Sequence, residues 1–298
     1  MNKEQELQYH SGLKAALDAG YKVLSGGGSA VDAVVAAIIV LEDNPLFNAG
    51  KGSVFTKKGV HEMDAALMDG RDLSAGAVAG VRNVRNPIRL AREIMLHSGH
   101  VFLSGQGANE FALMQGLELV HDDYFFNQDR YDQWIAIRDS NFYQLDHKGD
   151  NLKGTIPMTD HKFGTVGAAA CDQYGNLAAG TSTGGMTNKR FGRIGDSPVI
   201  GAGTYANNKT CAVSCTGHGE YFLRAVVAYD ISCLMEYAGL SLKDACERVV
   251  NDKLKSMGGE GGLIAVNGTG AHCFSFNSAG MYRAMRNSEG AEEIAYYG

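Results

Sequence analysis

Apolar residues recur at helical spacing over residues 4–24, where Leu13, Leu17, Tyr21 and Leu24 share one face of an amphipathic helix. Gly26-Gly27-Gly28 ends it, and Ser29 followed by Asp32 has the form of a capping box. The helix this opens, residues 30–42, is apolar nearly all round, which predicts burial. Strands are expected at 53–56 and 62–68, paired as a hairpin about Lys57-Lys58-Gly59. Asp69-Gly70 turns the chain into 73–81, and Asn86-Pro87 supplies the cap and first position of a helix to His97. A short strand at 101–104 leads into a further helix.

Residues 122–160 interrupt this order. They are polar, aromatic and irregular, with one helical patch around Trp134, and read as a long surface excursion. The excursion ends at Lys162-Phe163-Gly164-Thr165-Val166-Gly167-Ala168-Ala169-Ala170, a loop entering a strand of small and β-branched residues with Thr165 at its first position. Strands at 165–171 and 176–182 join through Asp172-Gln173-Tyr174-Gly175, and another is expected at 211–215. Gly217-His218-Gly219-Glu220 opens a long apolar helix to Tyr237, and Ser241 with Asp244 caps one running to 254. Residues 261–266 and 271–276 pair across Asn267-Gly268. Clustered strands with helices packed on them, and no βαβ alternation, predict α+β layers in a single domain spanning 1–298.

Composition narrows the function classes. A net charge of −6 leaves no electrostatic footprint for nucleic acid or anionic lipid. The longest apolar run, 33–41, is too short to span a bilayer, and residues 1–6 lack the apolar core of a secretion signal, so a cytoplasmic protein is expected. All six cysteines follow Thr165 without a C-x-x-C pair, which suits buried free thiols. The nine histidines show no ligand spacing for a transition metal. Gly105-Gln106-Gly107 and Gly201-Ala202-Gly203 mimic part of a dinucleotide fingerprint, but the first lacks its third glycine and a following acidic residue at the right distance, and the second leads into a strand rather than a helix.

The candidate chemistry lies from Gly164 onward. Thr165 is either an ordinary strand opening or, if the Gly164–Thr165 bond is cut, an N-terminal nucleophile carrying its own amine base. Loops rich in Gly, Thr and Ser follow at 181–189, 192–198, 201–203 and 214–220, and such loops expose amides and hydroxyls suited to an oxyanion or carboxylate. Arg193 and Asp196 on a glycine-flanked loop can grip the carboxylate and ammonium of a zwitterion, or simply form a surface ion pair.

Together these segments resemble the plant-type asparaginase/isoaspartyl peptidase family of N-terminal-nucleophile hydrolases. The resemblance runs over residues 4–282 and rests on Leu46-Phe47-Asn48-Ala49-Gly50, Glu62-Met63-Asp64-Ala65, Met68-Asp69-Gly70, Ala75-Gly76-Ala77-Val78-Ala79, Gly164-Thr165-Val166-Gly167-Ala168, Thr181-Ser182-Thr183-Gly184-Gly185, Gly192-Arg193-Ile194-Gly195-Asp196-Ser197-Pro198 and Thr216-Gly217-His218-Gly219-Glu220. It implies a four-layer αββα sandwich and autocleavage into subunits 1–164 and 165–298, with Thr165 as nucleophile. It implies that Thr183 positions Thr165, that Thr216 and the Gly217 amide form the oxyanion hole, and that Asn48 is an upstream polar partner. Arg193, Ile194, Gly195 and Asp196 would bind substrate with Thr216, Gly217, His218 and Gly219; His218 is expected to contact substrate rather than catalyse. Backbone carbonyls of Leu41, Glu42, Asn44, Phe47, Ala49 and Lys51 would hold a structural sodium ion, with no cofactor needed for catalysis.

The implied activity is hydrolysis of β-aspartyl dipeptides and L-asparagine to release L-aspartate, by a homodimer of αβ units acting on small molecules without nucleic-acid or membrane partners. A glycosylasparaginase-like amidase and a catalytically silent homologue are the alternatives. One departure bears on the fold. Family members open with a strand ending in a His-Gly-Gly-Ala-Gly-type turn, which lies in the central sheet near the nucleophile, whereas this sequence opens on its first helix. The expected consequence is unpaired backbone and a gap in the core beside the Thr165 strand.

Overall fold

The computed structural model describes residues 3–139 and 164–297. Helices α1 (Lys3–Ser25) and α2 (Ala30–Glu42) lead into β1 (Met63–Asp69), β2 (Ala75–Val81), α3 (Pro87–His97), β3 (Phe102–Ser104), α4 (Gly105–Met114) and α5 (Gln128–Ile137). From residue 164 onward come β4 (Val166–Cys171), β5 (Leu177–Thr183), β6 (Thr204–Ala206) and β7 (Cys211–Gly217). Helices α6 (Gly219–Ala225), α7 (Val227–Ala238) and α8 (Leu242–Glu247) follow, and α8 runs into a π-helical stretch, Arg248–Leu254. Strands β8 (Gly261–Asn267), β9 (His272–Phe276), β10 (Arg283–Arg286) and β11 (Glu292–Ala295) come last.

One sheet has the order β3-β2-β1-β5-β4 and a second the order β6-β7-β8-β9, while β10 and β11 form a separate ribbon. The two larger sheets face each other through β4 and β5 against β6, β7 and β8. Helices α2 and α3 pack on the first sheet, with α1 on α2, and α7 and α8 pack on the second. This is the αββα sandwich that the resemblance implies. The local reasons are legible. Ser29 Oγ accepts from the Asp32 amide at 3.1 Å and donates to its carboxylate at 2.7 Å, so α2 begins where the capping box places it. Val34 and Ile38 of α2 are fully buried, each stabilising the sandwich by about 1.5–3 kcal/mol. Every residue of β1 is buried, as befits a strand between two sheet neighbours in a covered layer.

Three expectations are corrected. Residues 53–56 turn at Lys57-Lys58-Gly59 but form no strand, because their backbone is committed elsewhere. Val54 N–H donates to Asn48 Oδ1, Phe55 C=O accepts from Asn188 N–H, and Lys57 N–H donates to Lys189 C=O. The long helix after Gly217 breaks at Val226, which adopts φ 51°, and this frees the amides of Ala228 and Tyr229 to bond the carbonyls of Ala202 and Gly201. The 122–139 part of the expected excursion is not a bare surface loop: Phe125 is fully buried, and Trp134 stacks on Phe55 with ring centres 5.6 Å apart. The remainder of that excursion lies outside the described residues. Strands β6, β10 and β11 are short and carried no pattern signal.

Strand β4, which opens next to Thr165, is the outer edge of its sheet. Beside it lies a cavity of about 540 Å³, walled by Leu13 and Leu17 of α1, Ala168 and Ala170 of β4, Phe274 of β9 and Met285 of β10.

Candidate active site

The site collects at one end of the sandwich because three strands place their ends there. Val166 pairs with Ser182 across β4 and β5, so Thr165 lies opposite Thr183. Asn208, which leads into β7, binds the Leu177 amide at the far end of β5, so the last residues of β5 and β7 reach the same end. That brings Thr165, Thr183, Thr216 and Gly217 to one rim. The Oγ1 atoms of Thr165 and Thr183 are 3.0 Å apart. Thr183 Oγ1 also accepts from the Gly185 amide at 3.0 Å, which leaves its own hydrogen available to Thr165.

Asn48 ties the upstream loop to this rim. Its amide donates to the Gly164 carbonyl at 2.7 Å, and its side chain donates to the Gly185 carbonyl at 2.7 Å while accepting from Val54 N–H at 3.1 Å. Its own carbonyl accepts from Gly184 N–H at 3.0 Å. Four hydrogen bonds through one buried residue thus hold the bond before Thr165 against the 183–185 turn.

A second cluster forms where Arg193 meets α6. Its guanidinium grips Glu220 with Nε to Oε1 at 2.9 Å and Nη2 to Oε2 at 3.0 Å, so its partner is Glu220 and not Asp196. Asp196 is buried, and its Oδ2 has no hydrogen-bond partner among the described residues. Burial pushes the Asp196 carboxyl up to about 7. Gly219 sits between the two groups: a Cβ there would meet Arg193 Nη2 at 2.6 Å and Asp196 Oδ1 at 3.0 Å, so glycine keeps the space open. Gly195 is buried in the same loop, while Ile194 is 41% exposed and points away from the packed part of the cluster.

The loop carrying Asp196 is fixed from below by hydroxyls. Thr181 Oγ1 lies 2.7 Å from Ser214 Oγ and from Thr204 Oγ1, and these groups also bond the carbonyls of Gly203 and Ser197. His218 caps α6, and its Nδ1 accepts from the Glu260 amide at 3.3 Å. Burial lowers the His218 imidazole, which keeps it neutral and makes it a poor acid at neutral pH.

The described site thus holds a threonine hydroxyl pair at a strand start, a donor on the preceding carbonyl, and a buried carboxylate with one unbonded oxygen in the loop of Arg193. The family model described as Asparaginase covers residues 1–296. The chain belongs to the asparaginase family. It is 55% identical to an isoaspartyl peptidase of Salmonella typhimurium over 95% of this chain and 89% of that protein. It is 53% identical to an isoaspartyl peptidase of Escherichia coli, over 95% of this chain and 87% of that one. A Homo sapiens isoaspartyl peptidase/L-asparaginase is 41% identical over 94% and 87%.

Within this asparaginase-family chain, Gly50 and Gly52 allow close backbone approach in the loop that follows α2. A Cβ on Gly52 would lie 2.0 Å from Phe47 O and 2.7 Å from Pro45 O, and one on Gly50 would lie 2.4 Å from Glu42 O. Among the described residues no group of three His, Cys, Asp or Glu is placed to hold a metal ion, and no helix is long and apolar enough to cross a membrane. All six cysteines are free thiols.

Two residues with a part in the site were not singled out by sequence. Glu220 belongs to a quoted motif, but only folding brings it against Arg193. Glu42 figured only through its carbonyl, yet its carboxylate is fully buried and accepts from Ser182 Oγ at 2.6 Å and Ile88 N–H at 3.0 Å. Burial pushes that carboxyl up to about 8. Its place at the end of an apolar helix was the available signal, since a charged residue there must be paired or neutral.

Proposed function

We propose that this protein is an isoaspartyl peptidase and L-asparaginase that cuts its own chain before Thr165. The observation that carries the reading is the meeting of Thr165 Oγ1 with Thr183 Oγ1 at 3.0 Å beside a Gly164 carbonyl already held by the Asn48 amide at 2.7 Å. In the self-cut, Thr165 Oγ1 adds to the Gly164 carbonyl carbon, the C–N bond breaks, and the acyl group passes to oxygen. Water then hydrolyses the ester, leaving a 1–164 subunit and a 165–298 subunit whose first residue has a free amine. The unperturbed pKa of such an amine, about 7.7–8.0, leaves a useful unprotonated fraction near neutrality.

In turnover that amine takes the Thr165 hydroxyl proton as Oγ1 attacks the side-chain amide of the substrate. Thr216 Oγ1 and the Gly217 amide receive the developing oxyanion. Collapse returns the proton to the leaving nitrogen and expels ammonia or a peptide's amine, and water releases L-aspartate from the ester on Thr165. Arg193 takes the substrate α-carboxylate by its remaining donors, Asp196 takes the α-ammonium, and Gly219 gives both room, with Ile194, Gly195 and His218 lining the approach. An asparagine or β-aspartyl dipeptide carries both charged groups on the carbon next to the side chain whose amide is cut. The names of the similar proteins favour this substrate class and lend nothing to the glycosylasparagine alternative.

The same reading includes a sodium ion held by carbonyls of Leu41, Glu42, Asn44, Phe47, Ala49 and Lys51, a homodimer of αβ units, and a cytoplasmic setting. The sodium would brace the loop from which Asn48 reaches the rim. Intact mass after incubation is the test. The expected result is two species split at Gly164–Thr165, lost in Thr165→Ala, together with aspartate release from a β-aspartyl dipeptide. A persistent full-length species without aspartate release would overturn the reading.

A further inference from the structure

The Glu62-Met63-Asp64-Ala65 segment and Lys189 take no part in the chemistry above, yet both end beside it. Asp64 pairs directly with Thr183 across β1 and β5, and Val166 pairs with Ser182 across β5 and β4. Asp64, Thr183 and Thr165 therefore form one cross-strand row on one face of the sheet, where opposed side chains are immediate neighbours. Asp64 is wholly buried; its Oδ1 accepts from Gly80 N–H at 2.8 Å, and its Oδ2 has no hydrogen bond among the described residues. The Lys189 ammonium, on a side chain only 2% exposed, lies 4.0 Å from that oxygen and donates to Glu62 C=O at 2.7 Å.

Lysine 189 also underlies the turn that bonds Thr183. A Cβ on Gly185, which adopts φ 79°, would meet Lys189 Nζ at 3.1 Å and Cδ at 3.2 Å. The amide of Gly185 donates to Thr183 Oγ1 and its carbonyl accepts from Asn48 Nδ2. Thr183 is thus bounded by Asp64 along its sheet row and by the Lys189-backed turn above it. A buried pair 4.0 Å apart, with one oxygen unbonded, is a poor way to gain stability, since apolar residues of the same size do as well or better. Burial pushes the Asp64 carboxyl up, and the Lys189 ammonium is the main influence opposing it.

We propose that Asp64 and Lys189 are positioning residues for the Thr165 nucleophile, acting through Thr183 and the Gly185 turn. The ammonium clamps the turn so that the Gly185 amide occupies one acceptor site of Thr183 Oγ1. Asp64 walls the row from the β1 side and keeps the lysine beneath the turn. The hydroxyl of Thr183 is then held towards Thr165 Oγ1, ready to donate as that oxygen loses its proton. This rests on the hydrolase reading, with Thr165 as the attacking group.

The test uses the full chain, with steady-state kinetics on a β-aspartyl dipeptide, the rate of self-cutting and a thermal melt. Lys189→Met and Asp64→Asn each leave one buried charge without a partner, so the decisive variant is the double Asp64→Asn/Lys189→Met, which removes both. The expected result is a wild-type melting temperature, a KM within about twofold, and a kcat lower by about 10–100-fold, the scale of a small misplacement of reacting groups. In a Thr183→Ala background the same double change should cost less than about twofold, because the group it acts through is gone.

A double variant with wild-type kcat would overturn the proposal and leave the pair a purely structural one. So would a loss carried by KM, or an undiminished loss in the Thr183→Ala background. If the double variant fails to fold, Asp64→Asn alone, compared with and without Thr183→Ala, gives the same discrimination. A wild-type chain inactive on the dipeptide would instead sink the functional reading itself.

Discussion

The backbone amide of Asn48 donates to the carbonyl oxygen of Gly164 at 2.7 Å. A donor therefore rests on the oxygen that takes negative charge in the proposed attack of Thr165 on the preceding peptide. The amide's position depends on the Asn48 side chain, which is tied to Gly185 and Val54. Replacing Asn48 by Ala keeps the amide but frees its anchor. The expected outcome is self-cutting slowed by about tenfold or more, less than the 10²–10³ typical of losing an oxyanion donor outright. A denaturing gel time course measures it, and an unchanged rate would show that the amide holds its place without the side chain.

Thr216 is the penultimate residue of β7, and the hydrogen bonds of Thr183 Oγ1 run to Thr165 and Gly185 rather than to it. Thr216→Ala should lower kcat by about 10²–10³ with KM little changed. Self-cutting should survive, because the Gly164 carbonyl is held by Asn48 and not by Thr216. Mass spectrometry and kinetics on one preparation separate the two reactions.

The Asp196 carboxyl, pushed up to about 7 by burial, must be ionised to take a substrate ammonium. As pH falls through that value the free enzyme gains a proton at Asp196 and loses its ammonium acceptor. The freed Thr165 amine is protonated over an adjoining range and loses its action as a base. The acid limb of kcat/KM should therefore fall with a slope approaching two. In Asp196→Asn, whose activity is far lower throughout, the limb should keep a slope of one. A slope of one in the wild type would mean that Asp196 does not titrate in the free enzyme.

Glu42 gives a stability prediction with the opposite sense from a surface carboxylate. Its folded-state pKa, about 8, lies above the ordinary glutamate value of 4.5, so the folded protein holds the extra proton between those values. Its contribution is fully present below about pH 4.5 and is lost as pH rises to about 8. Glu42→Gln keeps a neutral side chain at all pH values. The variant should be more stable than wild type at pH 9 by an amount on the order of a few kcal/mol, with the gap closing towards pH 5. Thermal melts across that range check this, and parallel curves would refute it.

Most of the layer architecture was legible in the sequence, and the candidate site residues were named from it. The capping box at Ser29, the Asn86-Pro87 helix start and the strand after Gly164 are local signals, set by propensities and turn chemistry that act within a few residues. Where local reading failed, a distant partner had prevailed. Residues 53–56 have strand character but spend their backbone bonds on Asn48, Asn188 and Lys189. Val226 sits in a helical run, yet bends into a left-handed conformation so that α7 can bond the 201–202 loop.

The sequence by itself supplied candidates, Thr165 as a nucleophile and the 192–198 loop with Arg193 and Asp196, through their match to family motifs, because residue identity and order suffice for a motif. Only the tertiary structure decided that Arg193 pairs with Glu220, that Asp196 is left with an unbonded oxygen, and that Asp64 and Lys189 border Thr183. Those relations depend on strand register and on burial. A one-residue slip of β1 against β5 would turn Asp64 to the other face of the sheet, and nothing in the order of residues measures how far a carboxylate lies from water.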